Sequence, residues 1–305
     1  MSSSPLARRD ALALILAAAC WGVGTAVSKQ AVAEVPPLTL LPVQLGISLA
    51  FLALVVRRRG DRLPAGRDGP RLARLGLLNP GLAYALSLLG LASISASLSV
   101  LIWALEPVLI LILAVLLLRE RPGITVVALS ALAVGGLALV VYNPAASGAI
   151  PGILLTIAGV ACCAVYTVAA RRWLPGADST LGVVVAQQAH ALVFAVVLLV
   201  LAAVGGVPVL PASLTPLGVA STVVSGLVYY GLAYAFYLTG LRRVPASIAA
   251  MSFYLIPVFG VATATLFGDR LAPLGWVGAV IVVVAVAAVA VRTTSPAIDR
   301  RPHSP

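Results

Sequence analysis

The chain has 305 residues, of which 61% are hydrophobic and only 10% are charged, and its formal net charge is +11. Soluble domains carry about a quarter charged residues, so this composition excludes a water-facing globule and indicates an integral membrane protein surrounded by the lipid bilayer. The basic residues lie in short clusters between apolar runs, without interleaved aromatic residues, which argues against nucleic acid as a partner.

Ten apolar stretches follow one another along the chain, and each has the roughly 20 residues that a helix needs to cross a bilayer. The first stretch follows two arginines and resembles a signal peptide, but its apolar character continues past Cys20 to Val32, so we interpret it as a span. Membrane strands are shorter and alternate in hydrophobicity, so the run lengths favour helices. The sequence predicts an all-α protein with ten transmembrane helices, at residues 11–33, 37–56, 72–91, 97–118, 123–141, 150–170, 181–204, 215–240, 246–267 and 273–291.

The distribution of lysine and arginine tests this count. With ten spans, 18 of the 20 basic residues lie on the side that holds both termini, and the other side holds Lys29 and Arg270. Such an excess marks the cytoplasmic side of a membrane protein. We therefore expect a multi-pass protein of the cell (inner) membrane with both termini in the cytoplasm, including the tails 1–10 and 292–305.

An internal repeat divides the chain into two halves. The segment 81–85 recurs at 231–235, and 15 of the 36 positions from 81 to 116 are identical at the same offset of 150 residues. The halves, at 11–141 and 150–291, each hold five predicted helices, and an odd number of helices gives the second copy the opposite orientation in the membrane. Inverted repeats are typical of secondary transporters, in which the substrate binds near the midplane between the halves.

Short motifs in both halves resemble the EamA family of the drug/metabolite transporter superfamily. The second half has Asp269 where this family usually has glutamate. The resemblance covers about residues 11–291 and implies a ten-helix carrier of small metabolites, whereas the motifs do not specify which metabolite. The residues that carry it are Cys20-Trp21-Gly22, Leu105-Glu106-Pro107-Val108, Leu118-Arg119-Glu120-Arg121, Ile256-Pro257-Val258 and Phe267-Gly268-Asp269-Arg270.

Glu106 is the most informative single residue. It is predicted in the middle of span four, directly before Pro107, which removes a backbone hydrogen bond and favours a kinked or broken helix. A carboxylate at bilayer depth is costly and usually faces the interior of the bundle or water. Ser99 and Trp103 share its predicted helix face, so this face is a candidate cavity wall. The alternative is a protonated glutamate that bonds a neighbouring helix and has only a structural role.

Aromatic and amide side chains inside the predicted spans complete the candidate site. A histidine in span seven is suited to relay protons or contact substrate, but it is also spaced to pair with Gln187. Tyr230, Tyr234 and Tyr237 form a stripe on span eight, and such rings either bind a zwitterionic or aromatic ligand or serve as packing. The candidate substrate-binding residues are Trp21, Tyr84, Ser99, Trp103, Glu106, Tyr166, Gln187, His190, Tyr230, Tyr234, Phe253 and Tyr254.

Charged residues at the predicted span ends have two interpretations. Lys29 and Glu34 form either an outer gate or an ordinary pair of interfacial charges. The clusters 119–121 and 269–270 are interpreted as caps that end spans four and nine and anchor them at the interface. The three cysteines (Cys20, Cys162 and Cys163) lie in apolar runs, and we interpret them as small hydrophobic residues rather than a disulfide framework.

Several chemical signatures are missing from the sequence. It has no Gly-rich Lys-Ser/Thr loop for ATP, no metal-ligand spacing and no nucleophile pattern, so we expect no cofactor, no metal and no enzymatic activity. The leading hypothesis is a secondary transporter that exports a small polar metabolite, such as an amino acid or a derivative, by alternating access, with protons as a candidate coupling ion. The alternatives are an uncoupled facilitator and a non-transporting packing or sensor protein.

Overall fold

The computed structural model describes residues 5–91, 102–103, 105–141, 150–211, 213–266 and 273–294, and in these ranges the chain forms helices, short turns and loops without a strand. Two helical runs contain π-helical turns, Leu77–Leu82 and Gly226–Leu232, and two 3-10 turns cover Leu174–Gly176 and Ser252–Tyr254. The helices are α1 Pro5–Val32, α2 Pro37–Arg59, α3 Gly69–Gly76, α4 Ala83–Leu91, α5 Glu106–Leu118, α6 Ile124–Val141, α7 Ile150–Trp173, α8 Thr180–Val204, α9 Pro216–Ser225, α10 Ala233–Leu241, α11 Ala246–Met251, α12 Leu255–Leu266 and α13 Pro273–Thr294.

Five helices in the described ranges are long and apolar enough to cross a membrane: Arg8–Val32, Pro37–Arg59, Ile150–Gly176, Thr180–Val204 and Pro216–Leu241. Shorter apolar helices occupy Glu106–Leu118, Ile124–Gly136, Ala246–Gly260 and Pro273–Ala288. Each of these nine helices overlaps a predicted span. Part of the predicted span 97–118 lies outside the described residues, and the full set of ten spans stays a prediction.

The two π-helical turns stand at repeat-related positions. The first, Leu77–Leu82, joins α3 to α4, and the second, Gly226–Leu232, joins α9 to α10. Adding the repeat offset of 150 to the first range gives 227–232, which falls inside the second. A π-helical turn breaks the regular hydrogen bonding of a helix and is frequent at functional sites. Both halves therefore have an irregular backbone at the same place in their third helical run.

The first helix of each half packs mainly against the other half. In the first half (residues 11–141), α1 contacts α9, α10 and α12, all of which belong to the second half (150–291). In turn α7, the first helix of the second half, packs against α4 and α5. The second helices, α2 and α8, pack against one another, and so do the fifth, α6 and α13. This exchange is the arrangement expected of two halves related by a pseudo-twofold axis.

A glycine sets the closest approach between the halves. A Cβ atom on Gly22 of α1 would lie 2.5 Å from the Ile256 carbonyl oxygen and 2.7 Å from the Gly260 amide nitrogen of the second half. Only a residue without a side chain permits this contact, as at other close helix crossings in membranes. The Cys20-Trp21-Gly22 motif therefore combines an aromatic ring with the glycine that lets α1 approach the second half.

The loops group into two ends of the bundle, as alternating helices require. One end, named here the Arg-rich end, carries Arg57, Arg58 and Arg59 together with loops 60–68, 119–123 and 242–245. The exposed side chain of Arg243 pairs there with the buried carboxylate of Asp10 at 3.4 Å. At the opposite end the loops 33–36 and 205–215 meet, and Thr39 Oγ1 donates a hydrogen bond to the Val209 carbonyl.

Candidate functional site

An aromatic cluster lies where the two halves meet. The indole of Trp21 packs edge-on against Tyr234, Tyr237 and Phe253, with ring centroids 5.4, 5.2 and 5.4 Å away. All four side chains are buried. Trp21 is contributed by α1, whereas its three partners are contributed by the second half. Edge-to-face contacts of this kind stabilise ring pairs beyond the area that they bury.

A second group of rings surrounds Tyr84 of α4. Its ring centroid lies 6.0 Å from that of Trp103, 5.6 Å from that of Tyr229 and 5.6 Å from that of Tyr230. The Tyr84 hydroxyl also interacts with the Tyr234 hydroxyl, which joins this group to the cluster around Trp21. Of the predicted candidates, Trp21, Tyr84, Trp103, Tyr230, Tyr234 and Phe253 therefore belong to one continuous aromatic cluster.

Glu106 lies beside this cluster, but not in the middle of a helix as predicted. Leu105 forms a turn, and Glu106 and Pro107 begin α5. Proline suits the first turn of a helix, because the N–H that it lacks would have no intrahelical partner there. The Glu106 carboxylate thus sits at a helix N-terminus, where the partial positive charge stabilises an anion.

The surroundings of Glu106 are mostly apolar. The residue is only 8% exposed, and its carboxylate is within electrostatic range of Cys163, Tyr229 and Tyr237. Among the described residues, no side chain or backbone group donates a hydrogen bond to it. An unpaired carboxylate at this depth is costly, which makes Glu106 a candidate to bind a donor from outside the protein.

Two tyrosine hydroxyls of span eight already have partners. The Tyr234 hydroxyl donates to Asn79 Oδ1 at 2.9 Å, and the Tyr237 hydroxyl lies 3.0 Å from Thr167 Oγ1. By contrast, the buried indole nitrogen Nε1 of Trp21 has no hydrogen-bond acceptor in the described part of the chain. Trp21 therefore offers the cluster one free donor, and Glu106 offers one free acceptor.

Two other predicted residues bind one another. The Tyr166 hydroxyl donates to Gln187 Oε1 at 2.8 Å, and Gln187 Nε2 donates to the Leu72 carbonyl at 3.0 Å. This pairing ties α7, α8 and α3 together and leaves the Gln187 amide with protein partners. The pairing of Gln187 with His190, which the spacing had left open as an alternative, is not seen: His190 Nδ1 lies 2.8 Å from the Ala186 carbonyl oxygen.

Tyr254 lies outside the aromatic cluster. Tyr254 packs in a separate apolar cluster with Ala133, Val282 and their neighbours, between α6, α12 and α13. The 3-10 turn Ser252–Tyr254 gives adjacent residues different surroundings, because Phe253 of the same turn packs against Trp21. Ser99 lies outside the described residues.

Sequence reasoning missed several residues of this region. Tyr229 packs between Tyr84 and Tyr230. Asn79 accepts a hydrogen bond from Tyr234 of the opposite half, and Gln188 binds both the opposite half and a π-helical turn. Gln188 Nε2 donates to the Tyr230 carbonyl, and Gln188 Oε1 accepts from Ser48 Oγ at 2.6 Å. A usable signal existed for two of them, since Asn79 directly precedes a proline and Gln188 directly follows another glutamine in an apolar run.

The charged residues at the span ends have two structural roles: Arg119 ends a helix, whereas Glu120 and Glu34 accept hydrogen bonds from the second half. Arg119 has a left-handed backbone (φ 56°) and ends α5, as predicted for residues 119–121. The Glu120 carboxylate, however, accepts hydrogen bonds from residues 246 and 247 of the second half. Residues 269–270 lie outside the described ranges. The Glu34 carboxylate bonds to Thr215, and this contact lowers the pKa of Glu34 from its usual 4.5, chiefly through the bond from the threonine side chain.

Comparison with known proteins places these features in context. The model of the EamA-like transporter family matches the chain twice, at residues 9–142 and 150–291. A protein of Archaeoglobus fulgidus, described as an uncharacterized transporter, is 24% identical over 252 residues, which cover 81% of this chain and 86% of that protein. A solved crystal structure aligns with a TM-score of 0.76 at 20% identity, over 95% of this chain and 99% of that one. At this identity the structural likeness shows the fold alone.

Proposed function

Because this chain belongs to the EamA-like transporter family, we propose that it is a secondary transporter that exports a small polar metabolite. An amino acid or an amino acid derivative is the proposed class of substrate. The family identifies a multi-pass membrane transporter, while the substrate, the direction and the coupling ion are our proposal. The observation that carries it is the aromatic cluster between the halves, with the buried carboxylate of Glu106 at its side.

The unsatisfied polar groups support this class of substrate. The indole Nε1 of Trp21 is buried without an acceptor among the described residues, and no hydrogen bond between described residues reaches the carboxylate of Glu106, which is 8% exposed. A zwitterionic ligand carries both complements, since its carboxylate accepts from the indole and its ammonium group donates to Glu106. Ring faces attract the same ammonium group and exclude water from the apolar part of the ligand. The two tyrosine hydroxyls of α10 have protein partners and contribute their rings.

Alternating access follows from how the halves pack in the proposed architecture of ten helices in two inverted repeats. The rings of Trp21 and of its partners on α10 belong to opposite halves, so rocking of one half against the other changes the spacing between them. The Arg-rich end is the proposed cytoplasmic side, and both termini lie there in the proposed topology. In this scheme the proposed coupling ion is a proton carried by Glu106. Protonation neutralises the carboxylate and so lowers the cost of keeping this side chain in the apolar interior while the halves move.

Counterflow in proteoliposomes tests the proposal. We expect one of a panel of amino acids and derivatives to exchange across vesicles that hold only this protein, and Glu106→Gln to lose that exchange. Asp68→Asn is the matched control, because Asp68 is an exposed acid in an ion pair with Arg71. Exchange of one compound in the control and not in Glu106→Gln supports the proposal. Equal exchange in both variants would remove Glu106 from the mechanism.

The energy source requires a second measurement on the same vesicles. If protons drive export, an imposed pH gradient leads to accumulation of substrate against its concentration gradient. An uncoupled facilitator equilibrates the substrate and goes no further, whatever the pH gradient. Absence of exchange for the whole panel by well-folded protein would contradict the proposed class of substrate.

A further inference from the structure

A carboxylate of the first half holds the second half at the Arg-rich end. Glu120, which follows α5, accepts hydrogen bonds from the Ala246 amide at 2.9 Å, the Ser247 amide at 3.1 Å and the Ser247 hydroxyl at 2.6 Å. These groups lie at the start of α11, where backbone N–H groups have no intrahelical acceptor. A charged acceptor is therefore bonded three times across the boundary between the halves.

A second carboxylate does the same at the opposite end. Glu34, in the turn between α1 and α2, accepts from the Thr215 amide at 2.7 Å and from the Thr215 hydroxyl at 2.6 Å. Thr215 is the residue before α9, and its hydroxyl oxygen also accepts from the Gly218 amide at 3.1 Å. A Cβ atom on Gly218 would lie 2.2 Å from Glu34 Oε2, so the glycine makes room for the carboxylate.

The two contacts are far apart along the bundle. Asp10, which pairs with Arg243 at the Arg-rich end, and Glu34 are separated by 24 residues that run almost entirely through α1. At 1.5 Å per residue this is about 36 Å, which exceeds the ~30 Å of a bilayer's hydrocarbon core. Glu120, at the Arg-rich end, and Glu34, at the other end, thus join the same two halves at opposite ends of the bundle.

We propose that Glu34 and Glu120 form two latches between the halves, each of which opens in one of the two access states of the transport cycle. This inference rests on the proposed function, because alternating access requires one end to separate while the other stays closed. In this structure both latches are closed. Hydrogen bonds to a charged acceptor are stronger than neutral ones, so loss of either latch shifts the conformational equilibrium toward the state that is open at that end.

Distances between spin labels test the latches without any substrate. In the full-length protein in lipid nanodiscs, with Cys20, Cys162 and Cys163 replaced by alanine, one label pair goes on Ala33 and Leu210 and another on Ile124 and Thr239. Each pair joins the two halves, the first at the Glu34 end and the second at the Arg-rich end, and its positions are exposed. Thermal unfolding of the labelled proteins beside the wild type shows whether the replacements preserve the fold.

The two latches have opposite expected outcomes. We expect Glu34→Gln to raise the long-distance population of the pair at 33 and 210 about tenfold, as loss of bonds to a charged group implies, with the other pair unchanged. Glu120→Gln is expected to lengthen only the pair at 124 and 239. Asp68→Asn should change neither. Equal lengthening of both pairs by one variant, or no lengthening by either variant, would overturn the latch proposal.

Milder variants keep the test informative if a glutamine variant does not fold. Thr215→Ala and Ser247→Ala each leave the carboxylate in place and remove one hydroxyl donor, so each should open the same end as its glutamine partner, to a smaller extent. If the Glu34 and Glu120 variants each lengthen the label distance at their own end, but the protein exchanges no compound of the panel, the latch proposal stands and the proposed substrate class is rejected. Counterflow with unchanged distances in all four variants would preserve the carrier and reject the latches.

Discussion

The indole ring of Trp21 meets the ring of Tyr237 edge-on across the boundary between the halves, with centroids 5.2 Å apart. Trp21 is also the aromatic residue of the Cys20-Trp21-Gly22 motif, so this motif supplies the ring through which α1 packs against the other half. The hydroxyl of Tyr237 is bonded to Thr167, whereas the indole N–H of Trp21 has no acceptor among the described residues. In this pair the Tyr237 hydroxyl already has a hydrogen-bond partner, whereas the Trp21 N–H is left as a donor without an acceptor in the described part of the bundle.

Replacement of Trp21 separates its two roles. Trp21→Phe keeps a ring in the cluster and removes the N–H, so we expect weaker substrate binding, with an increase of about tenfold in KM for the loss of one buried bond, and little change in thermal stability. Trp21→Ala removes the ring and should destabilise the fold by about 3 kcal/mol. Counterflow kinetics and thermal unfolding in detergent measure the two effects. An unchanged KM in Trp21→Phe would argue against the indole donor.

Substitution of Gly22 tests the contact between α1 and the second half. Gly22→Ala places a Cβ 2.5 Å from the Ile256 carbonyl oxygen, and such overpacking costs about 1–3 kcal/mol. Gly46→Ala is the matched control on α2, since no atom lies within 4 Å of a Cβ at that position. Thermal unfolding in the same detergent should show a lower Tm for the first variant alone. Equal Tm values for both variants would contradict the close approach described here.

The stability that Glu34 contributes should depend on pH. Its hydrogen bonds from Thr215 lower its pKa from 4.5 in the folded protein, so the folded state favours the ionised form. This contribution is fully present above the unfolded pKa and is lost as the pH falls through the lower folded value. The difference in Tm between the wild type and Glu34→Gln should therefore be constant from about pH 7 to pH 5 and shrink below about pH 4. A difference that grows on acidification would contradict this sign.

The orientation of the bundle is open to direct labelling. Single cysteines at Leu63, in the loop after α2, and at Leu210, in the loop before α9, occupy opposite ends of the bundle and are both exposed. In intact cells, a membrane-impermeant maleimide should label Leu210→Cys and leave Leu63→Cys unlabelled until the membrane is broken. The reverse pattern would invert the proposed topology, and labelling of both from outside would contradict the assignment of these loops to opposite sides of the membrane.

Apolar run lengths were enough to predict a helical chain, and repetition singled out two segments that contribute rings to the candidate site. The repeated segments around Tyr84 and Tyr234 are also the segments that hold the π-helical turns, so identity at a fixed offset marked the part of each half where the backbone is irregular. Tyr229 escaped prediction because a helical wheel assumes constant rotation per residue. The turn Gly226–Leu232 changes that rotation and brings Tyr229 and Tyr230 to the same neighbour, Tyr84.

Other differences have equally local causes. The break predicted at Pro107 is confirmed, but Glu106 was predicted in the middle of a helix, whereas it begins one, because the proline takes a position in the first turn. Tyr254 was predicted in the site, but the 3-10 turn directs it to the core of α6, α12 and α13. Long-range partners such as Glu120 and Ser247 are 127 residues apart, and no local pattern in the chain identifies such a pair.

The exchange of α1 and α7 between the halves has a consequence for biosynthesis. As the chain leaves the ribosome, α1 enters the bilayer first, yet the helices that pack around it, α9, α10 and α12, are made much later. Until then the Trp21 face of α1 lacks its native partners. The Ile256 carbonyl that approaches Gly22 is more than two hundred residues away in the chain. Neither half completes its core alone, so the first helix to be inserted is among the last to reach its native contacts.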